Sequence, residues 1–221
     1  MVFGLDEVYL AFPDPALADP DGLLAIGGDL SAERLKNAYT NGIFPWFSEG
    51  DPILWFAPHE RCVIFPARVK VSKSMQKVLN AGTFRINWNE NFEQVIKSCA
   101  KVDRTRQGQE GTWITEEMQE AYINLHHLGL AHSVEAWHEG QLVGGLYGVV
   151  INNVFCGESM FSMMSNASKA ALISLCQSGK FSLIDCQLPN DHLMSLGAEL
   201  IPAKEYLKIL KQPTLPADPA R

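Results

Sequence analysis

Cysteine is scarce and irregularly spaced in this chain of 221 residues. The five cysteines include no Cys-x-x-Cys pair, and they lie at positions 62, 99, 156, 176 and 186. An odd number of cysteines without paired spacing argues against a disulfide framework and against a zinc knuckle. We therefore expect a reduced, cytoplasmic protein that holds no metal.

Long apolar runs are also absent. The longest weakly polar stretch, residues 142–156, is interrupted by three glycines and two asparagines. A membrane span needs roughly 20 apolar residues, so this stretch does not predict one. Several acids precede the first basic residue, Arg34, which is not typical of a secretory signal. With 47% hydrophobic residues the chain can bury a sizeable core, and we expect a soluble protein with no membrane partner.

The glycine-rich phosphate loops of nucleotide-binding proteins are missing as well. Gly27-Gly28 and the glycines of residues 144–148 match neither a dinucleotide fingerprint nor a loop ending in Gly-Lys-Ser/Thr. Turns or strand bulges explain them better. The Gly-x-Ser-x-Gly motif of serine hydrolases is absent too. The sequence thus predicts no cofactor.

The net charge of −7 hides an uneven distribution. Residues 61–106, which we call the basic block, contain ten basic and three acidic residues and carry a net charge of +7. A basic block in an acidic chain can neutralise the phosphates of a nucleic acid. A solvated basic face without any partner is an equally good interpretation of the charge alone.

The composition of the sequence and the length of its predicted elements change near residue 60. Residues 1–60 are rich in Pro and Gly and predict a small N-terminal lobe, with a helix over 32–41 capped by Ser31. Longer regular elements fill residues 61–211, and two helical patterns begin near Phe92 and after Thr115. The Pro-rich tail, residues 212–221, is predicted to be disordered.

The second half of the chain predicts a definite order of elements. Three strands (133–138, 141–151 and 154–161) precede a helix, a strand near 181–186, a short helix and a last strand. That order resembles the GCN5-related N-acetyltransferase fold. We therefore predict an α+β chain in which a small N-terminal lobe precedes a GCN5-like domain. The junction before the central helix lacks the glycines and basic residue that hold coenzyme A in that fold.

Two segments place carboxylates within apolar strands. Glu158 lies in one strand, and Asp185 and Gln187 end another. If the strands are neighbours, these side chains converge in a cleft, which would be typical of an active site. Alternatively, each acid caps a turn or pairs with a basic side chain.

Around these residues the chain resembles the bacterial leucyl/phenylalanyl-tRNA–protein transferase family. The matching segments follow the family's order over most of residues 5–203. They are GLLAIGGDLS (22–31), NGIFPWFSEGDPILWFAP (41–58), GTWI (111–114), HSVEAWHEGQLVGGLYGV (132–149), FCGESMFS (155–162), ASKAAL (167–172) and IDCQ (184–187), followed by His192.

The resemblance implies an aminoacyltransferase without a cofactor. It would transfer Leu or Phe, and less readily Met, from aminoacyl-tRNA to proteins with N-terminal Arg or Lys, marking them for degradation. The active-site positions that it implies are Trp46, Trp113, Glu158, Asp185 and Gln187. We expect a monomer.

Roles for these residues follow from the chemistry of the transfer. We expect Asp185 and Gln187 to be catalytic: Gln187 orients the amine, and Asp185 polarises Gln187 or accepts the amine proton directly or through water. Glu158 would bind the acceptor's basic side chain, with Trp46 and Trp113 beside it. Two further sets are predicted. The donor pocket comprises Met160, Phe161, Met163 and Ile184, and the tRNA-binding residues are Lys70, Lys73, Lys77, Arg104 and Arg106.

Two other functions remain open at this point. One is a coenzyme A-dependent N-acyltransferase with the same fold, which the missing pyrophosphate loop disfavours. The other is a non-catalytic RNA-binding adaptor that uses the basic block, which would leave Glu158 and Asp185 without a function.

Overall fold

Two β-sheets and the helices around them form the structure, a computed structural model that describes residues 2–102 and 113–213. The strands are β1 (Phe3–Leu5), β2 (Leu23–Gly27), β3 (Phe44–Pro45), β4 (Leu54–Phe56), β5 (Glu60–Ile64), β6 (Arg85–Trp88), β7 (Ala131–His138), β8 (Gln141–Ile151), β9 (Val154–Ser162), β10 (Leu183–Gln187) and β11 (Glu199–Pro202). The helices are α1 (Ala32–Thr40), α2 (Lys73–Asn80), α3 (Phe92–Ala100), α4 (Glu116–His127), α5 (Ala167–Gln177), α6 (Asp191–Ser195) and α7 (Ala203–Leu210), with 3₁₀ turns at Pro15–Leu17 and Pro66–Arg68.

The larger sheet has seven strands in the order β11-β5-β10-β9-β8-β7-β6. The pair β9–β10 is parallel, and the other neighbours are antiparallel. The predicted order of meander, helix, strand, helix and strand is present, which confirms the mixed α/β class and the GCN5-like arrangement. The sequence did not predict β5, which lies between β10 and β11.

The smaller sheet, β1-β2-β4-β3, belongs to the N-terminal part of the chain. One hydrophobic cluster joins it to the larger sheet, because Leu24, Tyr39 and Trp55 pack with Val149 and Cys156 in the same cluster. The division of the chain near residue 60 remains a prediction.

The opposite face of the larger sheet is covered by α5. Leu146 and Phe155 point to this face and pack with Leu172 and Leu175 of the helix. Successive residues of a strand point to opposite faces, so β8 and β9 contribute to both hydrophobic clusters. The sheet is therefore buried on both sides, as its apolar strands require.

Caps fix the ends of the helices that the sequence predicted. The hydroxyl of Ser31 accepts a hydrogen bond from the backbone of Arg34 at the start of α1, and Thr115 caps α4 in the same way. Past the end of α1, Gly42 has a φ of +74°, and a Cβ there would lie 2.9 Å from Leu207 of α7. Glycine thus lets α1 end close against α7.

The glycines of residues 144–148 lie inside β8, where the register shifts between Tyr147 and Gly148. The register passes from Tyr147 opposite Ser159 to Gly148 opposite Gly157, so the additional residue is Glu158 of β9 rather than one of these glycines. A Cβ on Gly144 would lie 2.5 Å from the Cβ of Ala167, so this glycine lets the start of α5 approach the sheet. Among the described residues, no helix combines the length and apolar character needed to cross a bilayer.

Candidate active site

A cavity of about 550 Å³ opens beside β9 and β10. In the parallel pair, Cys156 is in register with Asp185. Two residues further along each strand lie Glu158 and Gln187, and a hydrogen bond between their side chains joins them at the cavity. Eight of the predicted site residues line it: Trp46, Trp113, Glu158, Met160, Phe161, Ile184, Asp185 and Gln187.

Met163 is the predicted pocket residue that the structure does not bring into this cavity. Strand β9 ends at Ser162, and the chain then turns so that the backbone N–H of Met163 donates to Val143. The Met163 side chain points to solvent and is 77% exposed. The alternation of the strand does not continue past Ser162, so Met163 is a surface residue, which corrects the predicted donor pocket.

Glu158 is a buried carboxylate with donors on both oxygens. Gln187 Nε2 donates to its Oε1 at 2.7 Å, and the Tyr122 hydroxyl donates to its Oε2 at 3.2 Å. The hydroxyls of Tyr39 and Tyr122 are themselves hydrogen-bonded. Burial raises the pKa of Glu158 to about 7, although the hydrogen bonds from Tyr39, Gln187 and Tyr122 favour the charged form. Glu158 therefore changes charge near neutral pH.

Asp185 is fully buried and forms a two-pronged ion pair with Arg61. Arg61 Nε and Nη2 each donate to one carboxylate oxygen at 2.8 Å. The Tyr206 hydroxyl donates to Oδ2 at 2.8 Å, and the backbone N–H of Gln187 donates to Oδ1 at 2.9 Å. Each oxygen thus already accepts two hydrogen bonds. The ion pair with Arg61 is the alternative that the sequence analysis left open, in which the acid pairs with a basic side chain. It favours a role for Asp185 in positioning Gln187 over direct acceptance of the amine proton.

The guanidinium of Arg61 lies between two aromatic rings, 4.8 Å from the centre of Phe44 and 4.7 Å from that of Tyr206. Its Nη1 donates to the carbonyl of Gly42 at 3.0 Å, just past the end of α1. Burial lowers the pKa of Arg61, but the opposing effects of Asp185, Tyr206 and Cys156 together outweigh it and the pKa is raised. Arg61 therefore stays charged and holds Asp185 in place.

Gln187 lies at a bulge where β10 leaves its partner β5. The register passes from Asp185 opposite Val63 to Gln187 opposite Cys62, so Cys186 is the additional residue. Gln187 has a φ of +62°, in the left-handed region that non-glycine residues seldom adopt. Its hydrogen bonds to Asp185 and Glu158 hold this conformation, which aims the amide into the cavity.

The sequence matches two family models. One, described as leucyl/phenylalanyl-tRNA protein transferase, matches residues 63–211, and one for the N-terminal domain of the same family matches residues 28–59. The chain belongs to the leucyl/phenylalanyl-tRNA protein transferase family. It is therefore an aminoacyltransferase.

Curated relatives with that name cover nearly the whole chain. The transferase of Flavobacterium johnsoniae is 53% identical over 91% of this chain and 96% of its own length. That of Flavobacterium psychrophilum is 54% identical over 92% of this chain and 97% of its own length. That of Syntrophus aciditrophicus is 54% identical over 93% of this chain and 88% of its own length.

The similarity to solved structures is weaker than the similarity to these relatives. A conserved protein of unknown function from Bacteroides thetaiotaomicron aligns with a TM-score of 0.43 and 11% identity, over 77% of this chain and 62% of its own. A GCN5-related N-acetyltransferase from Kribbella flavida aligns with a TM-score of 0.37 and 12% identity, over 81% of this chain and 63% of its own.

The basic block is not one continuous cationic surface in this transferase. Four of its basic residues have acidic partners, namely Arg61 with Asp185, Arg68 with Glu199, Arg85 with Glu90 and Lys97 with Glu93. Lys70, Lys73 and Lys77 are exposed, and within the described residues none of them forms an ion pair. Arg104 and Arg106 lie outside the described residues.

Four residues around the transferase site were missed by sequence reasoning. They are Tyr39 and Tyr122, which contact Glu158, and Arg61 and Tyr206, which bind Asp185. A tyrosine at helical spacing looks like a core residue, but Arg61 beside an apolar strand was a usable signal of a buried ion pair. Within the described residues, no group of three or more His, Cys, Asp or Glu could hold a metal ion.

Proposed function

We propose that this enzyme transfers Leu or Phe, and less readily Met, from aminoacyl-tRNA to the α-amino group of proteins with N-terminal Arg or Lys. Such a product is marked for degradation. The observation that carries the proposal is the buried Glu158–Gln187 pair beside an apolar cavity, in a chain of this family. Relatives that are 53–54% identical bear the name of the same transferase, which supports the donor class.

The proposed reaction exchanges an ester bond for an amide bond. The neutral α-amine of the acceptor attacks the ester carbonyl carbon, a C–N bond forms, and the bond from that carbon to the tRNA ribose oxygen breaks. The amine loses one proton, and the ribose oxygen takes up one proton to become a hydroxyl. An α-amine has a reference pKa near 8, so a useful fraction is neutral at pH 7. The ester is already activated, so the reaction requires no ATP.

Gln187 is the group that orients the amine in this proposal. Its Nε2 donates to Glu158 at 2.7 Å, which turns the amide oxygen toward the rest of the cavity as an acceptor for an amine N–H. An amide has no useful basicity, so Gln187 aligns the nucleophile and the proton leaves through water. Asp185 and Arg61 contribute by fixing the backbone of Gln187.

The donor side chain fits the apolar part of the cavity. Met160, Phe161 and Ile184 line it together with Leu172 and Leu175 of α5. An apolar pocket discriminates one methylene by only about 1–3 kcal/mol, so tolerance among Leu, Phe and Met is expected. Trp46 and Trp113 also line the cavity, and their flat rings can stack on a base or an acceptor residue.

Glu158 is the proposed partner of the acceptor's Arg or Lys side chain. A cation brought near a carboxyl stabilises its charged form, so binding of the acceptor would lower the pKa of Glu158 from about 7. An uncharged side chain would leave the buried carboxyl without this compensation. Selectivity for basic N-terminal residues follows from that difference.

The tRNA would bind mainly through its phosphates. Lys73 and Lys77 lie four residues apart in α2 and therefore on one face of the helix, and exposed Lys70 precedes it. Contacts to phosphates carry no direct sequence information, so we expect tRNA sequence to matter little.

The experiment supplies labelled leucine as leucyl-tRNA, together with a peptide that begins with Arg. Transfer without coenzyme A is the expected result, and the same peptide with an acetylated α-amine should accept nothing. Transfer that occurs only from an acyl-coenzyme A would support the N-acyltransferase, and RNA binding without transfer would support the adaptor. Either result would overturn the proposal.

A further inference from the structure

Cys62 and Cys186 face each other directly beside Gln187. At the bulge of β10, two successive residues, Cys186 and Gln187, lie opposite Cys62 of β5. The two thiols are hydrogen-bonded to each other. Both side chains lie on the face of the larger sheet that α5 covers, within the same hydrophobic cluster.

The two thiols differ in their access to the cavity. Cys62 is completely buried, whereas Cys186 is partly exposed and lines the cavity. A small reagent that enters the cavity therefore reaches Cys186 first. Cys62 lies behind it, where its sulfur can react with an oxidised Cys186.

We propose that Cys62 and Cys186 form a redox modification site, which hydrogen peroxide closes to a disulfide and thiols reopen. In the first step the Cys186 sulfur takes one peroxide oxygen, the O–O bond breaks, and one water is released. In the second step the Cys62 sulfur attacks the resulting sulfenic acid, the S–S bond forms, and the oxygen leaves as a second water. Two thiols lose two electrons and two protons, and one peroxide becomes two waters.

The geometry suits this step. Cys186 is the additional residue of the bulge opposite Cys62, and both side chains pack in the same hydrophobic cluster. A disulfide between them requires Cα atoms about 4.4–6.8 Å apart. The hydrogen bond from Cys186 lowers the pKa of the Cys62 thiol against the effects of burial and Asp185, and it raises the pKa of Cys186. Cys62 is thus the more acidic of the two thiols, which suits it to attack the oxidised partner.

Closure would change the position of Gln187. An S–S bond of about 2.05 Å is much shorter than a contact between two hydrogen-bonded thiols, so the bulge must tighten. Gln187 is the next residue and is held in a left-handed conformation, with its amide on Glu158. The effect of closure on transfer rests on the proposed function. The disulfide is therefore measured first, and the loss of transfer is measured second.

The experiment treats the reduced, purified protein with hydrogen peroxide and maps its peptides by mass spectrometry. We expect a Cys62–Cys186 crosslink, a loss of leucyl transfer in proportion to the crosslinked fraction, and full recovery with dithiothreitol. Cys62→Ala should keep its transfer activity and lack the fast, reversible loss. Cys176→Ala is the matched control: it removes another buried thiol near Cys186 and should behave as the wild type does.

The outcomes separate the two proposals. A crosslink to Cys176, or no crosslink, would overturn the redox site even if transfer is normal. A reversible loss of transfer in Cys62→Ala as large as in the wild type would also overturn it. If the reduced protein transfers nothing, the proposed function fails, while peptide mapping still tests the disulfide. Because mapping uses the wild type, an unstable variant does not prevent this test.

Discussion

The side-chain amide of Gln187 donates a 2.7 Å hydrogen bond to Glu158. The same residue donates its backbone N–H to Asp185 at 2.9 Å, so both acids hold it. Each acid has its own set of further partners, Arg61 and Tyr206 for Asp185 and the tyrosines for Glu158. Asp185 is thus held in an ion pair with Arg61, whereas the partners of Glu158 are uncharged. The two carboxylates therefore have different functions, although the sequence presents both as acids in apolar strands.

Asp185→Asn should destabilise the protein and reduce transfer. Asparagine leaves the buried Arg61 cation without a counter-charge, and breaking a buried pair costs about 3–5 kcal/mol. The double variant Arg61→Met/Asp185→Asn should recover part of this stability, because it removes both charges. Transfer should stay roughly 100-fold or more below wild type in both variants, because Gln187 is no longer held.

Urea unfolding and single-turnover transfer are the two measurements for this pair. If Asp185→Asn transferred leucine within about threefold of the wild-type rate, the proposed role of Asp185 would be wrong.

The pH dependence of stability should carry the signature of Glu158. Its pKa is about 7 in the folded protein against an ordinary 4.5, so the folded state binds a proton that the unfolded chain has lost between these values. The stabilisation is fully present below pH 4.5 and disappears as the pH rises through about 7. Relative to Glu158→Gln, the wild type should therefore lose up to about 3 kcal/mol over this range. Parallel pH curves for the two proteins would contradict this.

Tyr39→Phe and Tyr122→Phe should each raise the pKa of Glu158 further. Both hydroxyls stabilise the charged carboxylate, so their removal favours the neutral form. The pH at which transfer to Arg-initiated peptides is half-maximal should shift upward in both variants. Tyr9→Phe changes an exposed ring and is the control. A profile that does not move in either variant would show that these hydroxyls do not act on Glu158.

The sequence predicted what local patterns and the family's motifs encode. The β7–β8–β9 meander, the caps Ser31 and Thr115, and the meeting of Glu158 with Gln187 all follow from short segments. In the parallel β9–β10 pair a common register was enough to bring the two site segments together.

Non-local pairing accounts for what the sequence did not predict. Strand β5 joins β10 across more than a hundred residues, and only this pairing brings Arg61 to Asp185 and Cys62 to Cys186. No periodicity in one segment specifies its partner. A count of charges along the chain likewise could not reveal that Arg68 and Arg85 are already paired.

Neutralising Lys70, Lys73 and Lys77 together should weaken tRNA binding and flatten its salt dependence. Each lost phosphate contact reduces the slope of log affinity against log salt by about 0.7–0.9. Transfer from a small aminoacyl-adenosine should change much less. The matched control neutralises three exposed lysines elsewhere, Lys204, Lys208 and Lys211. An unchanged slope in the first variant would place the tRNA on another surface.

Glu158→Gln is the sharpest test of acceptor recognition. The amide keeps an oxygen for the hydrogen bond from Gln187, and its NH₂ can donate to a tyrosine hydroxyl, so the network survives while the charge is removed. A charge-assisted hydrogen bond contributes roughly 1.5–3 kcal/mol, so kcat/KM for Arg-initiated peptides should fall about 10- to 150-fold. A peptide that begins with citrulline, the neutral analogue of Arg, should be affected little. Donor preference among Leu, Phe and Met should persist, because that part of the cavity is apolar. If the variant instead changed the Leu-to-Phe ratio and kept the preference for Arg over citrulline, Glu158 would belong to the donor pocket.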